Sequence, residues 1–193
     1  MTIEIFLNDF DYPLAMKKAI FLDRDGTIVQ DSGYVNKLDD LKILPGVFEG
    51  LKKLQNENYL FFIVTNQSGI ARKKFSLEDF FSFQSALINE LKYQDIRINK
   101  TYFCPHIPED NCNCRKPNPY SIFAAQSEFD LDLNASYVIG DSKADILLAQ
   151  NAGINSICVL TGNIKDYSEA KKFNPSFIAR DLKEAARWIT QDY

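Results

Sequence analysis

AIFLDRDGT (residues 19–27) decides the architecture. Four apolar residues run without a break into Asp23, and Gly26 marks a turn just beyond. An apolar run without polar alternation reads as a strand buried on both faces, the habit of parallel sheets held between helices. In extended chain, residues two apart project to the same side, so Asp23 and Asp25 are expected to face one reaction centre. For an isolated Asp-x-Asp, two solvated loop acids are the plainer alternative. The rest of the chain decides between them.

Moving outward, YLFFIVT (59–65) repeats the pattern and ends in Thr65-Asn66. TYFC (101–104) is a third strand, followed by a loop with four prolines between 105 and 119 that carries Lys116. SYVIGD (136–141) ends in Gly140-Asp141, NSICVL (155–160) follows, and SFIA (176–179) is a sixth candidate. Helical spacing separates these runs. Pro45-Gly46 opens a helix with Val47, Leu51 and Leu54 on one face. Ser76 caps a second, with Phe80, Phe83, Leu87 and Leu91 in register. A third carries Ile122, Phe123, Gln126 and Phe129, a fourth spans 143–153, and Asp181 with Glu184 signals a capping box before the last. Strand alternating with helix predicts an α/β fold built on a doubly wound parallel sheet. Ligands bind such sheets beyond the carboxyl ends of the strands, where every polar motif named above falls.

Composition narrows the function. The 193 residues are 46% hydrophobic and 25% charged, enough for one self-sufficient core. The net charge is −4, so the Lys and Arg excess of a nucleic-acid binder is absent. No run approaches the roughly 20 apolar residues that span a bilayer. The start of the chain lacks the basic and apolar regions of a secretion signal, which predicts a cytoplasmic location. Ile3, Ile5 and Leu7 alternate as a short edge strand would, but residues 1–16 carry no chemistry and read as an extension of a domain spanning 17–193.

The strand-end motifs match the needs of phosphoryl transfer. One carboxylate can attack phosphorus, and a second can protonate the leaving alcohol and then activate water. Carboxylates can hold Mg2+ against the phosphate charge, and lysine and hydroxyl groups can steady the transferring oxygens. Separately, Cys104, His106, Cys112 and Cys114 lie within eleven residues and include the only histidine. Cys and His at such spacing point to a closed, structural Zn2+ site, against the alternative of free thiols beside an incidental imidazole. Arg115 and Lys116 follow directly, so the zinc loop is expected to present them. Cys158 lies in an apolar run and reads as a small core residue.

Taken together, DRDGT, TN, KP and GD, in that order and at strand ends, resemble the four motifs of the haloacid dehalogenase superfamily over about residues 18–190. The resemblance implies a Rossmann-like core with Asp23 as nucleophile and Asp25 as general acid/base. It implies Mg2+ on the Asp23 and Asp141 carboxylates and the Asp25 carbonyl, with Thr65 and Lys116 on the phosphoryl group. Asp145 is either a partner for the metal's water or a first-turn helix acid. The 39 residues between Asp25 and Thr65 and the 50 between Thr65 and Lys116 are mostly used by core elements, so a capless enzyme is expected.

CPHIPEDNCNCRKP (104–117) is similar to the loop shared by histidinol-phosphate phosphatases and D-glycero-D-manno-heptose-1,7-bisphosphate 7-phosphatases. DSGYV (31–35) and TNQSGIAR (65–72) are similar to loops of the heptose enzymes. By that resemblance Asp31, Ser32, Gly33, Tyr34, Asn66, Gln67, Ser68 and Arg115 contact a sugar phosphate. The substrate is then a small molecule, a heptose bisphosphate that loses its C7 phosphate through an aspartyl-phosphate intermediate. Neither nucleic acid nor membrane is a partner, and the chain is expected to act as a monomer. Ser142 departs from relatives that carry Lys there, which leaves one substrate contact in doubt. Histidinol-phosphate hydrolysis, DNA 3′-phosphatase activity and a non-catalytic zinc-stabilised interaction domain are the competing readings.

Overall fold

A computed structural model describes residues 16–31, 33–34 and 37–191. Six parallel strands form one sheet: β1 (Ala19–Leu22), β2 (Leu60–Asn66), β3 (Ile98–Cys104), β4 (Tyr137–Gly140), β5 (Asn155–Val159) and β6 (Phe177–Ala179), in the order β3-β2-β1-β4-β5-β6. Between them run α1 (Val47–Asn56), α2 (Leu77–Tyr93), α3 (Tyr120–Phe129), α4 (Lys143–Ala152) and α5 (Tyr167–Lys171), with α6 (Leu182–Ile189) after β6. The candidate edge strand at Ile3, Ile5 and Leu7 lies outside the described residues.

The period-two pleat explains how β1 serves both faces. Ile20 and Leu22 pack with α1, α2 and α6, whereas Ala19 and Phe21 pack with α3 and α4. β2 repeats the split, with Phe61 and Ile63 on one side and Phe62 and Val64 on the other. Phe21 and Phe62 stack at 5.4 Å between ring centroids, tying the two central strands on the α3 side.

Helix ends follow local chemistry. The Ser76 side chain accepts from the Asp79 amide, and the Asp79 carboxylate accepts from the Ser76 amide, closing a full capping box at α2. Gly153 ends α4 in the left-handed region. At α6 the expected box is half made: Asp181 accepts from the Glu184 amide, but Glu184 accepts from the Arg180 amide instead of closing back on Asp181. Three other details differ from expectation. β3 begins at Ile98, drawn out by six register pairs with β2. Phe123 is exposed, because α3 turns Ser121, Ile122 and Ala125 inward. The five-residue α5 carries too little periodic pattern to be read from sequence.

Among the described residues, the path from β1 to α1 holds only a 3-10 turn at Leu38–Asp40 and isolated bridges. No second domain interrupts the core there, nor between β2 and β3, so the fold is capless and the carboxyl ends of the strands are roofed by loops.

Candidate active site

The strand order reverses between β1 and β4, since β2 and β3 extend to one side of β1 while β4, β5 and β6 extend to the other. That switch point leaves a crevice beyond the carboxyl ends of β1 and β4. Asp23 follows β1 and Asp141 follows β4, so the topology alone brings together two acids 118 positions apart.

Lys116 reaches this crevice from the loop after β3. Its Nζ donates to Asp23 Oδ1, Asp145 Oδ1 and the Val64 carbonyl, each at 2.7 Å. Lys116 is 5% exposed, so these bonds are made away from water. Burial alone would lower the lysine's pKa, but Asp145 and Asp23 outweigh it and hold the ammonium above its ordinary range. Burial pushes Asp23 well above the usual carboxylate range while Lys116 pulls it down. Asp141 is also raised, by burial and then by the Asp145 charge.

Asn66 places the lysine's backbone. Its side-chain oxygen accepts from the Lys116 amide at 3.0 Å and its amide donates to the Lys116 carbonyl at 3.2 Å. Gln67 is spent in a similar way. Its Nε2 donates to Asp25 Oδ2 and Thr65 Oγ1, both at 2.8 Å, and it is 4% exposed. Both side chains line the crevice while engaged with neighbouring protein groups.

Asp141 presents one engaged oxygen and one unpartnered one. Oδ2 accepts from the Asn163 amide at 2.5 Å and from its side chain at 2.7 Å. Oδ1 is buried with no hydrogen-bond partner. Carboxylate oxygens of Asp23, Asp141 and Asp145 lie within 4.8 Å of one another. Asp145 has both oxygens occupied, by Lys116 and by the Ser142 amide and hydroxyl. The vacant acceptor on Asp141 beside Asp23 therefore fits a hard cation such as magnesium. Close backbone approach is required here: a Cβ on Gly26 would stand 2.5 Å from Asp141 Oδ2, and one on Gly162 would collide with the same carboxylate.

Asp23, Asp25, Thr65 and Lys116 share one cavity of about 500 Å³ with Asp31, Gly33, Tyr34, Ser68 and Arg115. Tyr34 is half exposed at its rim rather than packed into the core. Ser32 and Val35 lie outside the described residues. Ser142 also lines the cavity, though its hydroxyl is turned onto Asp145 at 2.6 Å. Lys143 lies at the same wall, with its Nζ 5.5 Å from the centroid of the Phe173 ring. Asp145 is thus both a first-turn acid of α4 and the second carboxylate on Lys116. Sequence reasoning passed over two residues of the site. Asn163 comes from a loop with no motif of its own. Arg24 was visible only as the residue between the two acids of DRDGT.

The cysteine loop folds into a compact cluster. Cys104 Sγ lies 3.4 Å from Cys112 Sγ and 3.6 Å from His106 Nδ1, and Cys114 Sγ lies 3.3 Å from His106 Nδ1 and 3.5 Å from Cys112 Sγ. None of these cysteines is bridged. Tetrahedral zinc with ordinary bond lengths sets its ligand atoms roughly 3.5–3.8 Å apart, so the cluster has the right size and donor set. Arg115 Nη1 donates to the His106 carbonyl at 3.0 Å, which ties the cluster to the cavity wall.

Comparison with known proteins agrees with this geometry. A HAD-hydrolase-like family model matches residues 113–185. The D-glycero-alpha-D-manno-heptose-1,7-bisphosphate 7-phosphatase of Campylobacter jejuni is 41% identical over 174 residues, covering 90% of this chain and 96% of its own. The D-glycero-beta-D-manno-heptose-1,7-bisphosphate 7-phosphatase of Helicobacter pylori strain J99 is 39% identical over 181 residues, covering 91% and 99%. Among solved structures, the D,D-heptose 1.7-bisphosphate phosphatase of B. bronchiseptica, complexed with magnesium and phosphate, superposes with a TM-score of 0.82 at 30% identity, covering 91% of this chain and 99% of that one.

Proposed function

The chain belongs to the D-glycero-D-manno-heptose-1,7-bisphosphate 7-phosphatase family of haloacid-dehalogenase-like hydrolases, and from that premise we propose how its residues carry out the reaction. It is a phosphoric monoester hydrolase that removes the C7 phosphate of a heptose 1,7-bisphosphate, in the making of nucleotide-activated heptose. The observation that carries the residue assignment is the buried Lys116 ammonium 2.7 Å from Asp23, beside an Asp141 oxygen without a partner.

An Asp23 oxygen attacks phosphorus in line with the departing C7 oxygen. The P–O bond breaks, and the Asp25 carboxyl gives its proton to the leaving alkoxide. Asp25, now a carboxylate, takes a proton from water, whose oxygen attacks the aspartyl phosphate. Inorganic phosphate leaves and both acids return to their starting states. Thr65 and Lys116 bind the transferring oxygens, and Lys116 offsets the charge that collects around Asp23. The Asp23 and Asp141 carboxylates and the Asp25 carbonyl would hold magnesium, which when bound would supply the remaining positive charge. Zinc on Cys104, His106, Cys112 and Cys114 is structural and steadies Arg115 and Lys116.

The far end of the sugar, with its second phosphate, meets the loop of Asp31, Ser32, Gly33 and Tyr34 together with Ser68 and Arg115. Asn66 and Gln67 serve the substrate by shaping that wall. A site without a cap draws specificity from such remote contacts, which can be turned into rate. The reading extends to a cytoplasmic monomer whose domain runs from residue 17 to 193. The described cysteines are all free, and no described helix is long and apolar enough to cross a membrane.

Steady-state kinetics on both C1 anomers of the heptose bisphosphate and on histidinol phosphate tests the substrate. The bisphosphate should have the higher kcat/KM, and Arg115→Ala should lower it by roughly ten- to a hundredfold, the loss of one charge-assisted contact. A higher kcat/KM on histidinol phosphate would replace the heptose reading with its neighbour.

A further inference from the structure

Arg24 lies between the two acids of the DRDGT segment, yet its side chain is fully buried. A strand would send it away from Asp25, but the chain leaves β1 at Leu22 and curls. The Arg24 carbonyl accepts from the Ile28 and Val29 amides, and the Gly26 amide donates to the Val29 carbonyl. That curl returns the guanidinium to its neighbour. Nε donates to Asp25 Oδ1 at 3.0 Å and Nη2 to Oδ2 at 2.9 Å, a fork matched to a carboxylate.

The surroundings are built for this cation. Its guanidinium carbon stands 4.9 Å from the centroid of Phe83 and 5.6 Å from that of Phe80, both buried on α2. Aromatic faces attract a weakly hydrated guanidinium, whereas the compact, strongly hydrated ammonium of lysine would suffer more from drying. A buried charge is retained only when it is paired, and Arg24 is paired with Asp25. With Gln67 Nε2 on Oδ2, three donors fix a carboxyl whose side chain is 20% exposed towards the cavity.

We propose that Arg24 is a positioning residue: it holds Asp25 in the one orientation from which protons can be passed to the leaving oxygen and taken from water. This rests on the assignment of Asp25 as the acid and base. Rate, and not substrate affinity, should then depend on Arg24. Dependence should be greatest where a proton is needed most. An alkyl phosphate has a poor leaving group that requires the acid. An aryl phosphate such as 4-nitrophenyl phosphate can form the aspartyl phosphate without it, but still needs the base for hydrolysis.

The test compares Arg24→Met, Arg24→Lys, Asp25→Asn and the double variant Arg24→Met with Asp25→Asn, each checked for folding by circular dichroism. Arg24→Met should lower kcat on the alkyl phosphate by about ten- to a hundredfold, part of the 10²–10⁴ that acid–base catalysis supplies, with KM little changed. On 4-nitrophenyl phosphate it should release an initial burst of nitrophenolate and then turn over slowly. In the Asp25→Asn background, Arg24→Met should leave the residual steady-state rate unaltered, because the residue acts through Asp25. Arg24→Lys keeps the charge without the fork and should recover only part of the loss. If Arg24→Met does not fold, Arg24→Lys carries the same comparison. Equal losses with and without Asp25, a rise in KM at constant kcat, or wild-type rates in either single Arg24 variant would overturn the proposal. Wild-type turnover in Asp25→Asn would remove the assignment of Asp25 and the proposal with it. A dead Asp25→Asn beside a fully active Arg24→Met removes the proposal alone.

Discussion

Lys116 joins Asp23 to Asp145, so its loss should be felt twice. Lys116→Met keeps the volume of the side chain and deletes the charge. Turnover should collapse, because the ammonium that sits 2.7 Å from Asp23 and is assigned to the transferring oxygens is gone. Asp145, 1% exposed, would also be left as an uncompensated buried acid. Removing one partner of a buried pair costs about 3–5 kcal/mol, and urea unfolding should report a fall of that order. Asp23→Asn provides the contrast: it should abolish turnover while the folded chain persists, since the amide still accepts from Lys116 but cannot attack phosphorus. Full activity in purified Asp23→Asn would refute the nucleophile. These two residues were legible because each stands in a short motif. The link between Lys116 and Asp145 was not, because 29 positions separate them and only the folded sheet brings the first turn of α4 to the loop after β3.

Among the elements, the cysteine loop and the start of α2 make separable predictions. Protein purified without added metal should hold one zinc per chain by elemental analysis. Burial pushes the Cys104 thiol up to about 12, while hydrogen bonds from Cys104 and Cys114 outweigh burial at Cys112 and bring it down to about 7. Cys112→Ser should release zinc and depress activity through Arg115 and Lys116, although no cysteine touches the reaction. Zinc-free protein with four freely reactive side chains would end the idea. At α2 the Ser76 amide and then its hydroxyl donate to Asp79 and hold that carboxyl below its ordinary 3.8. A lowered folded value gives stability that is present above the ordinary pKa and lost as pH falls through the lowered one. Ser76→Ala should lower stability near neutral pH through loss of the N-cap, and by less below pH 3.8, as read by thermal unfolding. The cap at Ser76 could be read from residue types in order; that the box expected at Asp181 and Glu184 is only half made could not, because Arg180 competes for Glu184 only once the chain has turned.

At the scale of the molecule, the domain proposed to begin at residue 17 is tied in there: among the described residues, the Lys17 amide donates to the Asp130 carbonyl and the Lys17 carbonyl accepts from the Asp132 amide. A chain shortened to begin at Met16 should keep kcat/KM within about twofold, as expected of a segment whose sequence carries no catalytic motif. A larger loss would give the leading segment a role in catalysis or folding. The strands, their parallel arrangement, the four strand-end motifs and the cysteine cluster are written in local order. Apolar runs, helical spacing and ligand spacing are properties of neighbouring residues, so they survive without a structure. The partners of those residues are not local. That Asn66 clasps the Lys116 backbone, that Gln67 is spent on Asp25, and that Arg24 lies against Phe80 and Phe83 of α2 all follow from which strand ends, loops and helices the fold brings together. Hydrogen bonds and ion pairs act over a few ångströms in space, whatever the separation along the chain, so only the folded arrangement could decide them.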